Sequence, residues 1–201
     1  MKVIGLCGGS GSGKGVASTA FADLGVPVID TDAIYHTMIS EPSECTAELE
    51  SYFGPSVINE SGGLNRRALA EIVFATGAED KLKMLNSIAH RHILGEARRL
   101  LSLYRERGCS AAVVDAPLLF ESGFYAECDA VVAVIADRDT RIERIIARDA
   151  ITREAAIKRI DAQRGEDFLR EHADYVLENN GAIEELATSV KEVLMQILNN
   201  F

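Results

Sequence analysis

A chain of 201 residues with 47% apolar and 26% charged side chains is long enough for one globular domain with a sizeable core. Its formal net charge of −10 argues against binding to nucleic acid or to an anionic membrane surface. The first apolar run is too short for a signal peptide, no run reaches transmembrane length, and the four cysteines show no metal-site spacing. We therefore expect a cytoplasmic protein.

Five short segments rich in β-branched residues predict strands, because they are mostly apolar and are bounded by glycine, proline, aspartate or asparagine. They are residues 2–7, 26–30, 111–116, 130–136 and 174–179. Helical periodicity occurs between them, at residues 15–24, 32–40, 65–76, 79–107, 138–149, 152–164 and 182–199. Strands that are apolar throughout are typical of a parallel sheet covered on both faces. The pattern predicts an α/β fold with a five-stranded parallel sheet.

The interval between the second and third predicted strands is too long for a single crossover helix. It runs from Asp30 to Ala111 and contains several helical segments. We interpret residues 33–108 as a helical insertion in a single domain that spans residues 1–201. A small lid is expected at residues 138–165.

A glycine-rich motif follows the first predicted strand. Residues Gly8 to Lys14 fit the pattern Gly-x-x-x-x-Gly-Lys, between an apolar strand and a helix. Glycines let successive backbone N–H groups point at phosphate oxygens, and the helix N-terminus adds the positive end of its dipole. Lys14 would then reach the β- and γ-phosphates. The motif predicts a phosphate-binding loop; the alternative is a flexible glycine turn that opens a helix.

Gly15 occupies the position where this motif usually has a serine or threonine that coordinates Mg²⁺. Glycine has no side-chain oxygen. However, the stretch resembles adenylate kinases, which have Gly-Lys-Gly at the same place and are magnesium-dependent. There the metal is held largely by nucleotide oxygens and waters, which suits an ion that dehydrates reluctantly. We expect Gly15 to weaken the loop as a metal site without removing phosphate binding.

Carboxylates end the second and third predicted strands, where ligands bind in open parallel sheets. Asp30 and Asp32 would share one side of the second strand if its extended geometry continued. At least one of them, Asp32 ahead of Asp30, is a candidate base for an attacking hydroxyl. The alternative is that Thr31 or Asp32 only caps the next helix. Asp115 is the leading candidate to contact Mg²⁺, through water. The alternative is that Asp115 belongs to a turn before Pro117 and has no role in the reaction.

An arginine-rich stretch lies near the C-terminus. Residues 138–170 carry nine of the 21 basic residues, in a chain that is otherwise strongly negative. A kinase needs only one or two arginines to neutralise the transferred phosphoryl group, often from a closing lid. Because residues 147–152 separate two helical patterns, we select Arg148 as that arginine. Most of the cations in this stretch are expected to lie on solvated helix faces, paired with carboxylates.

Together these motifs resemble the dephospho-CoA kinase family. The similar segments are GGSGSGKG, FADLGVPVIDTD, GGLNRRALAEIVF, LNSIAHRHI, VVDAPLLFESG, RIERIIARD, AAIKRIDAQ and ADYVLENNG. The family transfers the γ-phosphate of ATP to the ribose 3′-hydroxyl of dephospho-CoA, the last step of coenzyme A biosynthesis. The resemblance implies a P-loop kinase three-layer sandwich with a helical CoA-binding region and a small lid. It also implies ATP and dephospho-CoA as substrates and Mg²⁺ as cofactor.

The motif and the resemblance together assign roles to individual residues. Lys14, Asp32 and Arg148 are predicted to be catalytic. The residues predicted to bind ATP are Gly8, Gly11, Ser12, Gly13, Lys14, Gly15, Val16, Asn179 and Gly181. Those predicted to bind the acceptor are Asp30, Arg66, His90, Leu118 and Leu119, and Arg67 could do the work of Arg66. Asp115 is predicted to contact the metal.

Three residues depart from the family pattern. Gly15 replaces the usual serine, Arg91 replaces the proline that usually follows the histidine, and Leu169 stands where a basic residue is common. Two other hypotheses stay open. One is another small P-loop kinase, similar to shikimate or nucleotide kinases, and the other is a nucleotide-binding protein without turnover. The sequence does not predict an oligomeric state.

Overall fold

The structure is a computed structural model that describes residues 1–199. The strands are β1 (Lys2–Gly8), β2 (Val28–Asp30), β3 (Ala111–Asp115), β4 (Ala130–Ile135) and β5 (Tyr175–Glu178). The α-helices are α1 (Lys14–Asp23), α2 (Thr31–Ser40), α3 (Glu44–Phe53), α4 (Arg66–Val73), α5 (Glu79–Glu106), α6 (Arg138–Asp149), α7 (Arg153–Asp161), α8 (Glu166–His172) and α9 (Ile183–Asn199). Short 3₁₀ turns occur at Pro55–Val57 and Phe124–Glu127. Across residues 1–199, none of the helices combines the length and apolar character needed to span a bilayer.

The five strands form one sheet in the order β2-β3-β1-β4-β5. In this order β1 is the middle strand and pairs in parallel with β3 on one side and with β4 on the other. The chain therefore changes direction across the sheet at β1, and such a switch point opens a crevice at the carboxyl ends of the strands. The predicted α/β fold with a five-stranded parallel sheet is confirmed.

The described part of the chain divides into two compact units, which are residues 1–29 with 101–199, and residues 30–100. In the first unit, apolar side chains of the sheet pack against α1 and α9, around Leu6, Phe21 and Val190. The opposite face of β1 is covered by the segment after β3. Leu119 of this segment packs against Gly5, where an added Cβ would lie 2.8 Å from the Leu119 side chain. Helices and loops thus cover both faces of the middle strand, as its apolar sequence predicts.

The second unit has a core of its own, formed by α2, α3, α4 and α5 around Leu49, Val57 and Ile88. A capping box fixes the start of α3, since Ser43 Oγ accepts from the N–H of Thr46 at 3.1 Å and Thr46 Oγ1 accepts from the N–H of Ser43 at 2.8 Å. This unit overlaps the predicted insertion at residues 33–108. The prediction of a single domain stays a prediction.

The segment predicted as a lid contains two helices that pack on each other. Ile142 and Ile145 of α6 meet Ala156 and Ile160 of α7. Between the helices, Ala150 adopts a left-handed conformation with φ 52°, which ends α6. Thr152 then caps α7 by accepting from the N–H of Ala155 at 3.2 Å. Separate helices on either side of this break were predicted, and they are confirmed.

Two helices and one strand boundary differ from the sequence-based expectation. The helix α3 was not predicted, because its buried face includes Cys45 and Thr46 and is therefore weakly apolar. The helix α8 was also missed, because it has seven residues and Leu169 is its buried residue. The strand β2 begins at Val28 and not at Val26, since the N–H of Val26 donates to the carbonyl of Phe21 and closes the end of α1.

Candidate active site

The predicted phosphate loop joins the carboxyl end of the middle strand to the N-terminus of α1. Gly13 precedes α1 in a left-handed conformation with φ 95°, and a Cβ there would collide with the side-chain amide of Asn179. Among residues 1–199 no side chain caps α1, and the first turn of this helix contains no acidic residue. The helix therefore presents its first N–H groups and its positive dipole end without a competing carboxylate, as anion binding requires.

Lys14 and Asp115, predicted for phosphate and for metal, are brought together by the sheet. Asp115 ends β3 beside Leu6 of β1, and its carboxylate forms an ion pair with the Lys14 ammonium. Both groups are largely removed from water, since the side chains of Lys14 and Asp115 are 19% and 6% exposed. Each charge is therefore compensated by the other, which is the condition for holding either at low solvent exposure.

Cys7 lies next to the loop but is not a reactive thiol. Burial raises its pKa to about 12, with a further increase from Glu121 and a decrease from Lys14. Only the thiolate is a strong nucleophile or metal ligand, so Cys7 stays protonated and inert at neutral pH.

Asn179 connects the end of β5 to the loop. It is 4% exposed, its N–H donates to the carbonyl of Ile135 at 2.9 Å, and its amide nitrogen donates to the carbonyl of Ser12 at 2.8 Å. The hydroxyl of Ser12 is buried without a hydrogen-bond partner among residues 1–199. Gly181 is close to Glu185, whose carboxylate a Cβ at Gly181 would meet. In this structure Asn179 fixes the shape of the loop, and its predicted contact with ATP stays a prediction.

Arg148, the predicted lid arginine, is engaged with a carboxylate. Its guanidinium donates twice to Asp149, at 2.8 and 2.9 Å, and reaches Ser10 Oγ at 3.4 Å. Hydrogen bonds from Arg148 and then from Arg159 lower the pKa of Asp149 to about 2. Arg148 would have to exchange this pair for a phosphate if it acts in the reaction.

Arg144, which precedes Arg148 by one helical turn, was not among the predicted site residues. Its guanidinium donates to the carbonyl of Asn179 at 3.0 Å and to that of Gly11 at 3.4 Å. Within residues 1–199 it has no carboxylate partner, so its charge is not neutralised by an acid. The four-residue spacing to Arg148 on one helix face is the signal that could have identified it.

A cavity of about 320 Å³ lies within the second unit. Asp32 and Arg66, the predicted base and a predicted acceptor-binding residue, both line it. The remaining lining residues are Tyr35, His36, Ile39, Leu64, Leu69, Ala70, Val73, Phe74 and Leu85. Burial raises the pKa of Tyr35, which therefore stays a neutral hydrogen-bonding group. The cavity thus combines a mostly apolar wall with an acid and a guanidinium, a combination suited to an organic phosphate.

The expectation that Asp30 and Asp32 share one side of an extended strand is wrong. The helix α2 begins at Thr31, and Asp30 caps it by accepting from the N–H groups of Asp32 and Ala33 at 2.9 and 3.0 Å. The cap is therefore Asp30, and neither Thr31 nor Asp32. Asp30 Oδ1 is occupied by the helix, whereas Asp32 lies exposed in its first turn.

The other residues predicted for the acceptor lie in different surroundings. Arg66 lines the cavity. Arg67 does not line it, and its Nε donates a hydrogen bond to the carboxylate of Glu71 at 3.1 Å. His90 is half-buried on α5 and is not among the residues that line the cavity. Leu118 is 51% exposed, while Leu119 is fully buried, so in this structure only Leu118 offers its side chain to a ligand.

Comparison with known proteins decides the family. Residues 2–185 match the family described as dephospho-CoA kinase. The chain belongs to this family. A dephospho-CoA kinase of Lactobacillus johnsonii is 35% identical over 194 residues, which are 96% of this chain and 97% of that protein. Of the hypotheses above, the shikimate-like and nucleotide-kinase-like alternatives are therefore not favoured.

Solved structures agree with the family and with the fold. A dephospho-CoA kinase from Campylobacter jejuni superposes with a TM-score of 0.72 and 26% identity, covering 97% of this chain and 96% of that one. A shikimate kinase from Acinetobacter baumannii, solved with shikimate, has a TM-score of 0.54 and 17% identity, covering 100% and 94%. The second likeness shows the fold alone, which is that of P-loop kinases.

Two departures from the family pattern have a structural explanation. Arg91 pairs with Glu48, whose second oxygen lies 2.8 Å from His92 Nε2, so the residue that replaces proline links α5 to α3. The hydrogen bond with His92, and to a smaller extent the one with Arg91, lowers the pKa of Glu48. Leu169 is 8% exposed and is the buried residue of α8, where a basic side chain would be out of water.

Gly15, the third departure, leaves the loop without a built metal site. Across the described residues, no group of three or more His, Cys, Asp or Glu side chains could hold a metal ion. Beside the loop lies one buried carboxylate, that of Asp115. These residues fit a magnesium ion that keeps phosphate and water ligands, and they do not form a cage of their own.

Replacing Gly15 with serine should strengthen the metal site. Apart from its two chain neighbours and its own helix backbone, no heavy atom of residues 1–199 would lie within 4 Å of a Cβ at Gly15, so there is space for the added hydroxyl. We expect the Mg²⁺ concentration for half-maximal ATP turnover to fall several-fold, measured from initial rates in a Mg²⁺ titration. Gly15→Ala is the matched control, since it adds the Cβ without an oxygen. It should stabilise the helix by about 0.5–1 kcal/mol and leave the Mg²⁺ dependence unchanged. Equal Mg²⁺ curves for both variants would contradict the prediction.

Proposed function

We propose that this protein phosphorylates the ribose 3′-hydroxyl of dephospho-CoA with ATP as donor, giving coenzyme A. The observation that carries the proposal is the phosphate loop at the switch point of the sheet, with Lys14 paired to the buried Asp115. Membership of an ATP-dependent kinase family supports the choice of donor, and the names of its relatives support the choice of acceptor.

On the donor side, the loop would bind ATP through its backbone. The N–H groups from Gly11 to Val16 and the N-terminus of α1 would surround the β- and γ-phosphates. Lys14 would exchange its contact with Asp115 for a phosphate oxygen and follow the charge during transfer. Arg144, which has no acid partner among the described residues, and Arg148 would offset charge on the transferred group.

On the acceptor side, Asp32 would accept the proton of the attacking ribose hydroxyl. Arg66, in the same cavity, would bind a phosphate of dephospho-CoA, while the apolar wall would contact its organic part. Asp30 would act through the cap of α2, which sets the position of Asp32. His90 and Leu118 stay candidates for further contacts with the acceptor.

Magnesium belongs to the proposal as a companion of ATP. When bound, Mg²⁺ would neutralise part of the charge on the phosphates of ATP. Asp115, a buried carboxylate at the loop, would contact the ion through water. Because the reaction consumes ATP, we place it in the cytoplasm.

ATP consumption by the purified protein with Mg²⁺ tests the proposal, with dephospho-CoA, shikimate and AMP as separate acceptors. Product mass identifies the molecule that receives the phosphate. We expect addition to dephospho-CoA alone. Turnover of shikimate or AMP instead would keep the kinase and overturn the acceptor. ATP binding without turnover of any acceptor would favour a nucleotide-binding protein that has lost catalysis.

A further inference from the structure

Two arginines of α6 differ from the other arginines of residues 138–170. Those that pair with carboxylates are Arg138, Arg148, Arg153, Arg159, Arg164 and Arg170. Within residues 1–199, Arg141 and Arg144 have no such partner. Arg141 is also the more buried of the two, with 8% of its surface exposed. A buried cation is costly unless polar groups surround it, so its hydrogen-bond partners indicate its role.

The guanidinium of Arg141 is held by the phosphate loop and by Gln163. Its Nε donates to the carbonyl of Ser10 at 2.9 Å, and its Nη2 donates to Gln163 Oε1 at 3.1 Å. The same Gln163 oxygen accepts from the N–H of Ser10 at 2.9 Å. Three hydrogen bonds therefore form a closed ring in which two side chains of the predicted lid segment hold both backbone polar groups of Ser10.

The same arginine lies close to two glycines of the loop, Gly9 and Gly11, and Gly11 also has a positive φ of 79°. The phosphate-loop pattern requires Gly8 and Gly13, but it does not require glycine at positions 9 and 11. A Cβ at Gly9 would lie 2.9 Å from Arg141 Cζ, and a Cβ at Gly11 would lie 2.6 Å from the carbonyl oxygen of Arg141. The loop thus fits closely around Arg141, on its side chain and on its backbone.

We infer that Arg141 and Gln163 are positioning residues for phosphoryl transfer, which fix Ser10 and thereby the curvature of the loop that receives ATP. The inference rests on the proposed kinase function. Neither residue touches the reacting atoms; both act through Ser10. ATP binding should therefore depend on the pair, and binding of the acceptor should not.

Calorimetric titration with ATP tests the inference on the wild type, Arg141→Gln, Gln163→Leu and the double variant. Each single change should weaken ATP binding about tenfold, because a hydrogen bond to a charged donor is lost. The double variant should be no weaker than the weaker single one, since either change opens the same ring. Arg141→Lys keeps the charge without the planar fork and should resemble Arg141→Gln.

Arg138→Gln is the matched control, because the same substitution on the same helix removes an exposed ion pair with Asp161. It should bind ATP like the wild type. For Arg141→Gln and Gln163→Leu, steady-state kinetics should show a higher KM for ATP and an unchanged KM for dephospho-CoA. A general folding defect does not produce this difference. If Arg141→Gln fails to fold, Gln163→Leu, at an exposed position, carries the test.

The inference is overturned if the single variants bind ATP within threefold of the wild type or if their effects multiply. It is also overturned if lysine at position 141 restores affinity, since charge and not geometry would then be the cause. A wild type that binds ATP but does not phosphorylate dephospho-CoA would overturn the proposed function and leave the dependence of ATP binding on this pair testable, because the titration needs no turnover. A wild type that does not bind ATP would overturn both.

Discussion

Asp32→Asn is expected to lower kcat by about 10²- to 10⁴-fold, the usual contribution of a general base. Asparagine has nearly the same size but cannot take the proton of the ribose hydroxyl. The cap of α2 is made by Asp30, so the helix should form as before. Steady-state rates with saturating ATP and dephospho-CoA, together with the melting temperature, measure both effects.

Asp80→Asn serves as the control for this prediction. Asp80 also lies in the first turn of a helix of the second unit, and it pairs at the surface with Lys83 at 3.2 Å. Its replacement should leave kcat unchanged. Near-wild-type turnover of Asp32→Asn, with an unchanged melting temperature, would remove Asp32 from the role of base.

Lys14→Met is expected to lower kcat/KM by about 10²- to 10³-fold or more, because a charged donor to the transferred phosphate is lost. It should also destabilise the fold, by up to about 3–5 kcal/mol, since it removes the cation that is paired with the buried carboxylate of Asp115. Urea unfolding and steady-state kinetics measure the two losses separately.

A second substitution separates these two effects of Lys14. In Lys14→Met with Asp115→Asn, the buried negative charge is removed together with the cation, so stability should largely return while activity does not. Lys2→Met is the control, because Lys2 pairs with the more exposed Asp129 at 3.7 Å and lies outside the loop. Recovery of activity in the double variant would show that Lys14 serves the fold and not the reaction.

Local signals made most of the fold predictable. The five strands are short apolar runs, and the phosphate loop has the spacing Gly-x-x-x-x-Gly-Lys between a strand and a helix. The helices α3 and α8 were not predicted because their buried faces show little apolar periodicity. The prediction that Asp30 and Asp32 share one side of a strand was wrong because the strand ends at Asp30, which caps the helix that follows. Alternation of side chains along a strand cannot reveal where the strand ends.

By itself, the sequence determined the α/β fold, the position of the phosphate loop and the family, because each rests on neighbouring residues or on the order of motifs. Tertiary structure alone decided which charged and polar groups come into contact. The contacts of Lys14 with Asp115, and of Arg141 with Ser10, join residues more than 100 positions apart. Such partners are chosen by how strands and helices pack, and packing, unlike periodicity, leaves no local mark in the chain.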